Sequence, residues 1–241
     1  MNNTTTNTLY LVRHGENLAN ITNEFSYKLV DYPLTPKGVL QAEQTAEFFK
    51  AIAIDAVYAS PLKRAHETGE IIARPHALPV IVLEEFREVN VGDLERMPPT
   101  EAAWKLHNQV VDEWLKGNPA ARFPGGENFL ELVERARRGL LNTTRGRSGQ
   151  RIVIAAHGGI LTAIVRSVCA GVSTDQTPLA GMHNCAITEI ELTTDADHIT
   201  CGVLRCWADV THLSGKAAEP ASLALEYEEA SLESKKISRV L

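Results

Sequence analysis

Apolar positions along the chain follow two rhythms. Residues 9–12, 55–59, 80–83 and 151–156, apolar throughout apart from the leading Asp55 and Arg151, have the length and content of short buried strands. Between them apolar residues recur at helical spacing: Val39, Leu40, Ala42, Ala46, Phe49 and Ile52, then Leu130, Val133, Leu140 and Leu141 within 127–145. Thr35-Pro36 reads as an N-cap followed by proline at the first helical position. Ser60-Pro61 reads as the same device, opening a helix to about Ala73. Residues 17–31 lack periodicity and read as a loop. Met97-Pro98-Pro99-Thr100 caps a helix to about Lys116 that carries Trp104 and Trp114, which read as core residues; turns follow at 117–119 and 123–126. An apolar helix at 160–170 follows His157-Gly158-Gly159, and alternating stretches at 184–192 and 200–208 predict an antiparallel pair at a sheet edge.

Strand and helix alternate through the first half of the chain, the signature of an α/β fold with parallel pairing. The expected architecture is three-layer α/β/α, a mostly parallel central sheet carrying an antiparallel edge strand, with residues 97–126 as a small helical lid. One catalytic domain is expected over 1–210 and a C-terminal extension over 211–241, where 222–236 forms either an amphipathic helix or a charged tail.

Composition narrows the function classes. The chain has 241 residues, 44% hydrophobic and 22% charged, which fits a globular protein. A net charge of −6 argues against nucleic acid as a partner, so any anionic ligand must be met by a few local cations. Cys169, Cys185, Cys201 and Cys206 form no C-x-x-C pair and read as buried small hydrophobes in a reducing compartment. Residues 1–7 fit neither a signal nor a transit peptide, and the most apolar run, 152–165, is too short to span a bilayer. A cytoplasmic location with no membrane partner is therefore expected.

Against that background, two strand ends carry chemistry. Arg13-His14-Gly15 follows the first strand and His157-Gly158 the fourth, so both imidazoles should stand at one edge of a parallel sheet. Arg64 falls in the first turn of the helix after the second strand, Glu88 follows the third strand, and Asn20 lies just beyond His14. A phosphate monoester carries a charge of about −2 and repels a nucleophile until that charge is offset. Two guanidinium forks can offset it without a metal. A neutral imidazole is a competent nucleophile once its tautomer is set, and a shielded carboxylic acid can protonate the leaving alkoxide. The candidate site residues are thus His14, His157, Arg13, Arg64 and Glu88: an imidazole as nucleophile with the second histidine binding the same oxygens or stabilising developing charge, the two arginines offsetting the phosphate, and a carboxylic acid, Glu88 or else Glu95, as proton source. No phosphate-binding loop of the G-x-x-x-x-G-K-[ST] type, no H-E-x-x-H and no Gly-x-Ser-x-Gly elbow is present. No metal site and no cofactor are expected, because neighbouring arginines repel a cation. His66, His76, His107, His198 and His212 read as surface or core residues, and His183 as a turn residue near the pocket.

Leu11-Val12-Arg13-His14-Gly15-Glu16 with Asn20, then Asp31-Tyr32-Pro33-Leu34-Thr35-Pro36-Lys37-Gly38, Ser60-Pro61-Leu62-Lys63-Arg64-Ala65, residues 88–95, Pro124-Gly125-Gly126-Glu127 and His157-Gly158-Gly159 occur in this order. The ordered set, from about residue 8 to 192, resembles the histidine phosphatase superfamily, also called phosphoglycerate mutase-like. The resemblance implies a phosphohistidine on His14, a phosphate pocket of Arg13, Arg64 and His157 beside Gly158, Glu88 as proton donor and Asn20 as a supporting phosphate contact. Glu24, Ser26 and Tyr27 depart from the family's common Arg and Gly-containing pair, and Arg96 replaces a common Gly. A mutase must hold a bisphosphorylated intermediate, yet the lid offers Lys105, Lys116 and Arg122 against Glu101, Asp112 and Glu113. The expectation is therefore a histidine acid phosphatase-type phosphomonoesterase acting on a small phosphorylated metabolite. A phosphoglycerate mutase and an inactive phospholigand-binding member are the alternatives, and a homodimer is left open.

Overall fold

The computed structural model describes residues 4–173, 176–177, 182–195 and 198–221. Its elements are β1 (Thr5–Arg13), α1 (Leu18–Thr22), α2 (Pro36–Phe49), β2 (Ala56–Ala59), α3 (Lys63–Ala73), β3 (Val80–Val82), α4 (Glu101–Leu115), α5 (Phe129–Thr144), β4 (Arg151–Ala156), α6 (Gly158–Val168), β5 (Ile187–Thr194) and β6 (Ile199–Asp209). The six strands form one sheet in the order β3-β2-β4-β1-β5-β6. β3, β2, β4 and β1 pair in parallel, and β5 and β6 run antiparallel at the β1 side. The mixed sheet flanked by helices is the expected architecture, with two antiparallel strands at that edge.

β1 shows why the parallel strands are apolar throughout. Leu9 and Leu11 face one layer with Ile160, Ile164, Leu132 and Leu140 of α6 and α5. Tyr10 and Val12 face the other, against Phe49 of α2 and Ile72 of α3. A strand alternates its side chains, so covering both faces requires apolar residues at every position.

Parallel register then sets the site. Arg13 pairs with Ala156 and Ala59 with Ala155, so β1, β4 and β2 end nearly level. The next residues, His14, His157 and Ser60, emerge side by side, tied by His14 N–H donating to Ala156 O at 2.9 Å and Ser60 N–H to Ala155 O at 3.0 Å.

Several boundaries differ from the sequence reading. Thr35 does cap α2, its hydroxyl accepting the Gly38 amide at 3.1 Å. Ser60 does not cap α3, which begins at Lys63 with Leu62 at the cap position and no side-chain cap bond. Residues 17–31 are not all loop: Asn17 and Asn20 form a reciprocal capping box that starts α1. A five-residue helix carries too short an apolar period to be read from sequence. Cys169 and Cys185 are buried as expected, but Cys201 is exposed and Cys206 half-buried, because β6 is an edge strand with an open face. α4, capped by Thr100, packs Ala103, Trp104, Val111 and Trp114 onto the main core as the lid. Beyond Thr211, the chain folds back: Leu213 and Ala217 pack with Ala42 and Cys185. The expected helix or tail at 222–236 lies outside the described residues. Among the described residues no helix is long and apolar enough to cross a membrane.

Candidate active site

Beyond the strand ends lies a cavity of about 590 Å³. Its floor holds Arg13, His14 and Arg64, with Glu88 and Gly158 beside them; Asn20 is also on its wall. His157 is fully buried directly behind, its ring centroid 5.1 Å from that of His14.

The His14 tautomer follows from its neighbours. Nδ1 lies 2.7 Å from the Gly15 carbonyl oxygen, which can only accept, so Nδ1 carries the proton and Nε2 the lone pair. Arg64 Nε donates to that Nε2 at 3.1 Å. Burial, then the Arg64 and Arg13 charges, hold the His14 pKa well below its ordinary value, so the ring is neutral near pH 7. The backbone around it is clamped. Thr68 Oγ1 accepts the Gly15 amide at 3.0 Å, and a Cβ on Gly15 would sit 2.4 Å from the Gly38 carbonyl oxygen, so only glycine lets this loop touch the first turn of α2.

His157 is oriented by Ser60. Ser60 Oγ accepts the Leu62 amide at 3.3 Å and lies 2.8 Å from His157 Nε2. The hydroxyl thus ties the His157 ring, through Nε2, to the backbone that follows β2. The ring's Nδ1 is buried without a hydrogen-bond partner. Burial and the cations around it, Arg64 first, keep His157 neutral too. Ser60 was not among the sequence candidates. The signal was its position directly after a strand, as for His14 and His157, but the Ser-Pro pair reads equally well as a helix start.

Both arginines are tethered yet keep free donors. Arg13 Nη1 donates to the Met182 carbonyl and Arg64 Nη2 to the Ser26 carbonyl at 2.8 Å. Arg13 Nε and Arg64 Nη1 are buried without partners. Burial lowers the Arg64 pKa to about 10, with Glu88 the largest opposing charge, and the guanidinium remains charged. Glu88 also supports the Arg13 charge, so the carboxylate faces both cations.

Glu88 Oε1 accepts the Val89 and Ile160 amides at 2.8 and 3.0 Å, and Oε2 the Gly159 amide at 3.2 Å. It occupies the N-terminus of α6, whose cap residue His157 makes no side-chain cap bond. Glu95 is placed elsewhere: its Oε1 accepts the amides of Tyr27, Lys28, Leu29 and Val30 at 2.7, 2.6, 2.8 and 3.3 Å. It holds the loop over Arg64 and does not line the cavity. Asn20 Oδ1 is taken by the Asn17 amide at 3.2 Å and Asn184 Nδ2 at 3.0 Å, which leaves its amide nitrogen for the cavity.

The upper wall is aromatic. Trp104 stacks 4.3 Å from Phe25, and His107 lies between Phe25 and Phe123 at 5.5 and 5.3 Å. Trp104, Trp114 and His107 therefore line the cavity and are not simply core or surface residues. His183 reaches it as well, with Nδ1 2.7 Å from the Asn184 carbonyl oxygen.

The level strand ends thus bring Arg13 and His14, with Arg64 of α3, to the floor of one cavity and pack the His157 ring behind them, an arrangement of fixed donors suited to an oxyanion. The chain belongs to the histidine phosphatase superfamily (branch 1), which it matches over residues 9–202, and is a phosphatase or a phosphoglycerate mutase of that superfamily. It is 33% identical over 161 residues to the uncharacterised phosphatase PhoE of Bacillus subtilis, covering 67% of this chain and 77% of that one. It is 30% identical over 216 residues to the probable phosphoglycerate mutase GpmB of Proteus mirabilis, covering 88% and 97%. Its fold is like that of a mycobacterial glucosyl-3-phosphoglycerate phosphatase solved in complex with VO3, with a TM-score of 0.68 at 24% identity over 83% of this chain and 98% of that one.

Proposed function

We propose that the protein is a metal-independent phosphomonoester hydrolase that passes through a phosphohistidine on His14. The observation that carries this reading is that Arg13, His14 and Arg64 line one cavity, Arg64 Nε donating to His14 Nε2 at 3.1 Å while Arg13 Nε and Arg64 Nη1 are buried without partners. A buried donor left unpaired costs about 1–3 kcal/mol, and phosphoryl oxygens that accept from these guanidinium groups would offset that cost.

In the first step His14 Nε2 attacks phosphorus, the P–O bond to the alcohol breaks, and the departing alkoxide takes the Glu88 carboxyl proton. In the second, water attacks phosphorus from the side the alcohol left and gives a proton to Glu88, and the P–N bond electrons return to Nε2. The transition state is loose, so the work of the protein is positioning and charge stabilisation. The substrate is a small phosphorylated metabolite.

Mutase relatives give the second reading its support. A mutase must anchor the second phosphate of its bisphosphorylated intermediate. Among the described residues the cavity has arginine or lysine only at its floor, as Arg13 and Arg64, which favours hydrolysis.

The test is phosphate release from 4-nitrophenyl phosphate in excess chelator. Wild type turns over, and His14→Ala loses about a thousandfold or more in kcat/KM. Interconversion of 2- and 3-phosphoglycerate in the presence of the bisphosphate, faster than phosphate release, would assign the mutase reading instead.

A further inference from the structure

The charges around the cavity are segregated. Arg13, Arg64 and Glu88 lie at the strand-end floor, and the remaining carboxylate on the wall, among the described residues, is that of Glu24. Glu24 belongs to the lid end. The neighbouring Phe25 stacks on Trp104, and the Asn23 carbonyl accepts from Trp104 Nε1 at 3.1 Å. Its partners there are hydroxyls: Thr22 donates to Oε2, and Tyr32 to Oε1 at 3.5 Å. Neither neutralises it, and the long Tyr32 bond leaves Oε1 able to accept from a ligand. No arginine or lysine stands beside it on the described cavity wall.

A phosphomonoester seated on the floor therefore shares the cavity with the Phe25, Trp104 and His107 rings and with a negative charge that no arginine or lysine beside it on the described wall offsets. A carboxylate or second phosphate at that end would meet like charge in a half-enclosed space, where water screens poorly. A hydroxyl or ammonium group would instead donate to Glu24, and a flat apolar body would cover the rings.

We infer that Glu24 is a specificity-determining residue, and that the natural substrate is the phosphomonoester of an alcohol with an apolar, ring-sized body and a hydrogen-bond donor, not an anion, at its far end. This deepens the phosphatase reading and rests on it.

The test is a series of three aryl phosphates that share a leaving group but differ at a spaced para position: 4-methylphenyl, 4-(aminomethyl)phenyl and 4-(carboxymethyl)phenyl phosphate. For wild type, kcat/KM should fall at least about tenfold from the aminomethyl to the carboxymethyl ester, with the methyl ester between them. Glu24→Gln keeps the shape of the side chain and should shrink that ratio to within about threefold, and Glu24→Lys should invert it. Using ratios removes any general loss caused by loop damage in the variants. Equal rates on all three esters by wild type, a preference for the carboxymethyl ester, or a ratio that persists in Glu24→Gln would each overturn the inference while leaving the hydrolase reading intact. Failure of wild type to hydrolyse any of the three would overturn the hydrolase reading and the inference with it.

Discussion

His14 and Ser60 illustrate how single side chains set the chemistry. In the proposed reaction His14 would need no base, because a carbonyl already fixes its proton on Nδ1 and burial beside two cations keeps the ring neutral. The acid limb of the pH profile of kcat/KM should therefore lie below the ordinary imidazole value of about 6.5. Folding is linked to the same shift. Depressed folded-state pKa values mean that the unfolded chain binds more protons as pH falls through about 6.5, so the contribution of these two rings to stability is full above that value and is lost below it. Urea midpoints measured from pH 7.5 to 5 should fall, and His157→Gln should flatten the fall. Ser60→Ala should lower kcat about tenfold with a smaller change in KM, since it frees the orientation of the His157 ring without removing the ring. An unchanged kcat would show that Ser60 does not orient His157.

At the scale of elements, the strand ends and the loops that cover them do different jobs. Parallel register delivers His14, His157 and Ser60 as neighbours, and the apolar runs that specify that register are visible in the sequence. Arg13, His14 and His157 were legible for this reason, because each stands at or next to the end of a strongly patterned strand; Arg64, in the first turn of α3, and Glu88, in the segment after β3, were placed by their order along the chain. The lid wall was not. Phe25, Trp104 and His107 meet only because Glu95 gathers four amides of the 27–30 loop and α4 folds over it, contacts between segments about eighty residues apart with no local period. The α3 start was misread because Ser-Pro has two uses, and tertiary placement chose the other one. Glu95→Ala should release the loop, raise KM several-fold and leave the global urea midpoint within about 1 kcal/mol of wild type. A collapse in overall stability would mean that the loop is part of the cooperative core.

For the whole molecule, the net charge of −6 and the two cations at the cavity floor belong together. On the proposed phosphatase reading the chain repels anions in general and would admit one oxyanion at the cavity floor, where fixed donors would replace its water. Ligand-linked stability reports this directly. Inorganic phosphate at about a hundred times its Kd should stabilise the fold by about 2.7 kcal/mol in chelator, and Arg64→Ala should lose that gain. A phosphate effect that survives in Arg64→Ala would place the anion elsewhere.

The central claim is a covalent bond between phosphorus and His14 Nε2. Rapid quench of wild type with a 32P-labelled monoester, followed by peptide mapping, tests it most directly. The account predicts a burst of label that is stable to alkali, labile to acid, and confined to the peptide containing His14. Turnover at full rate with no trapped label, or an acid-stable label on a hydroxyl or carboxylate, would contradict it.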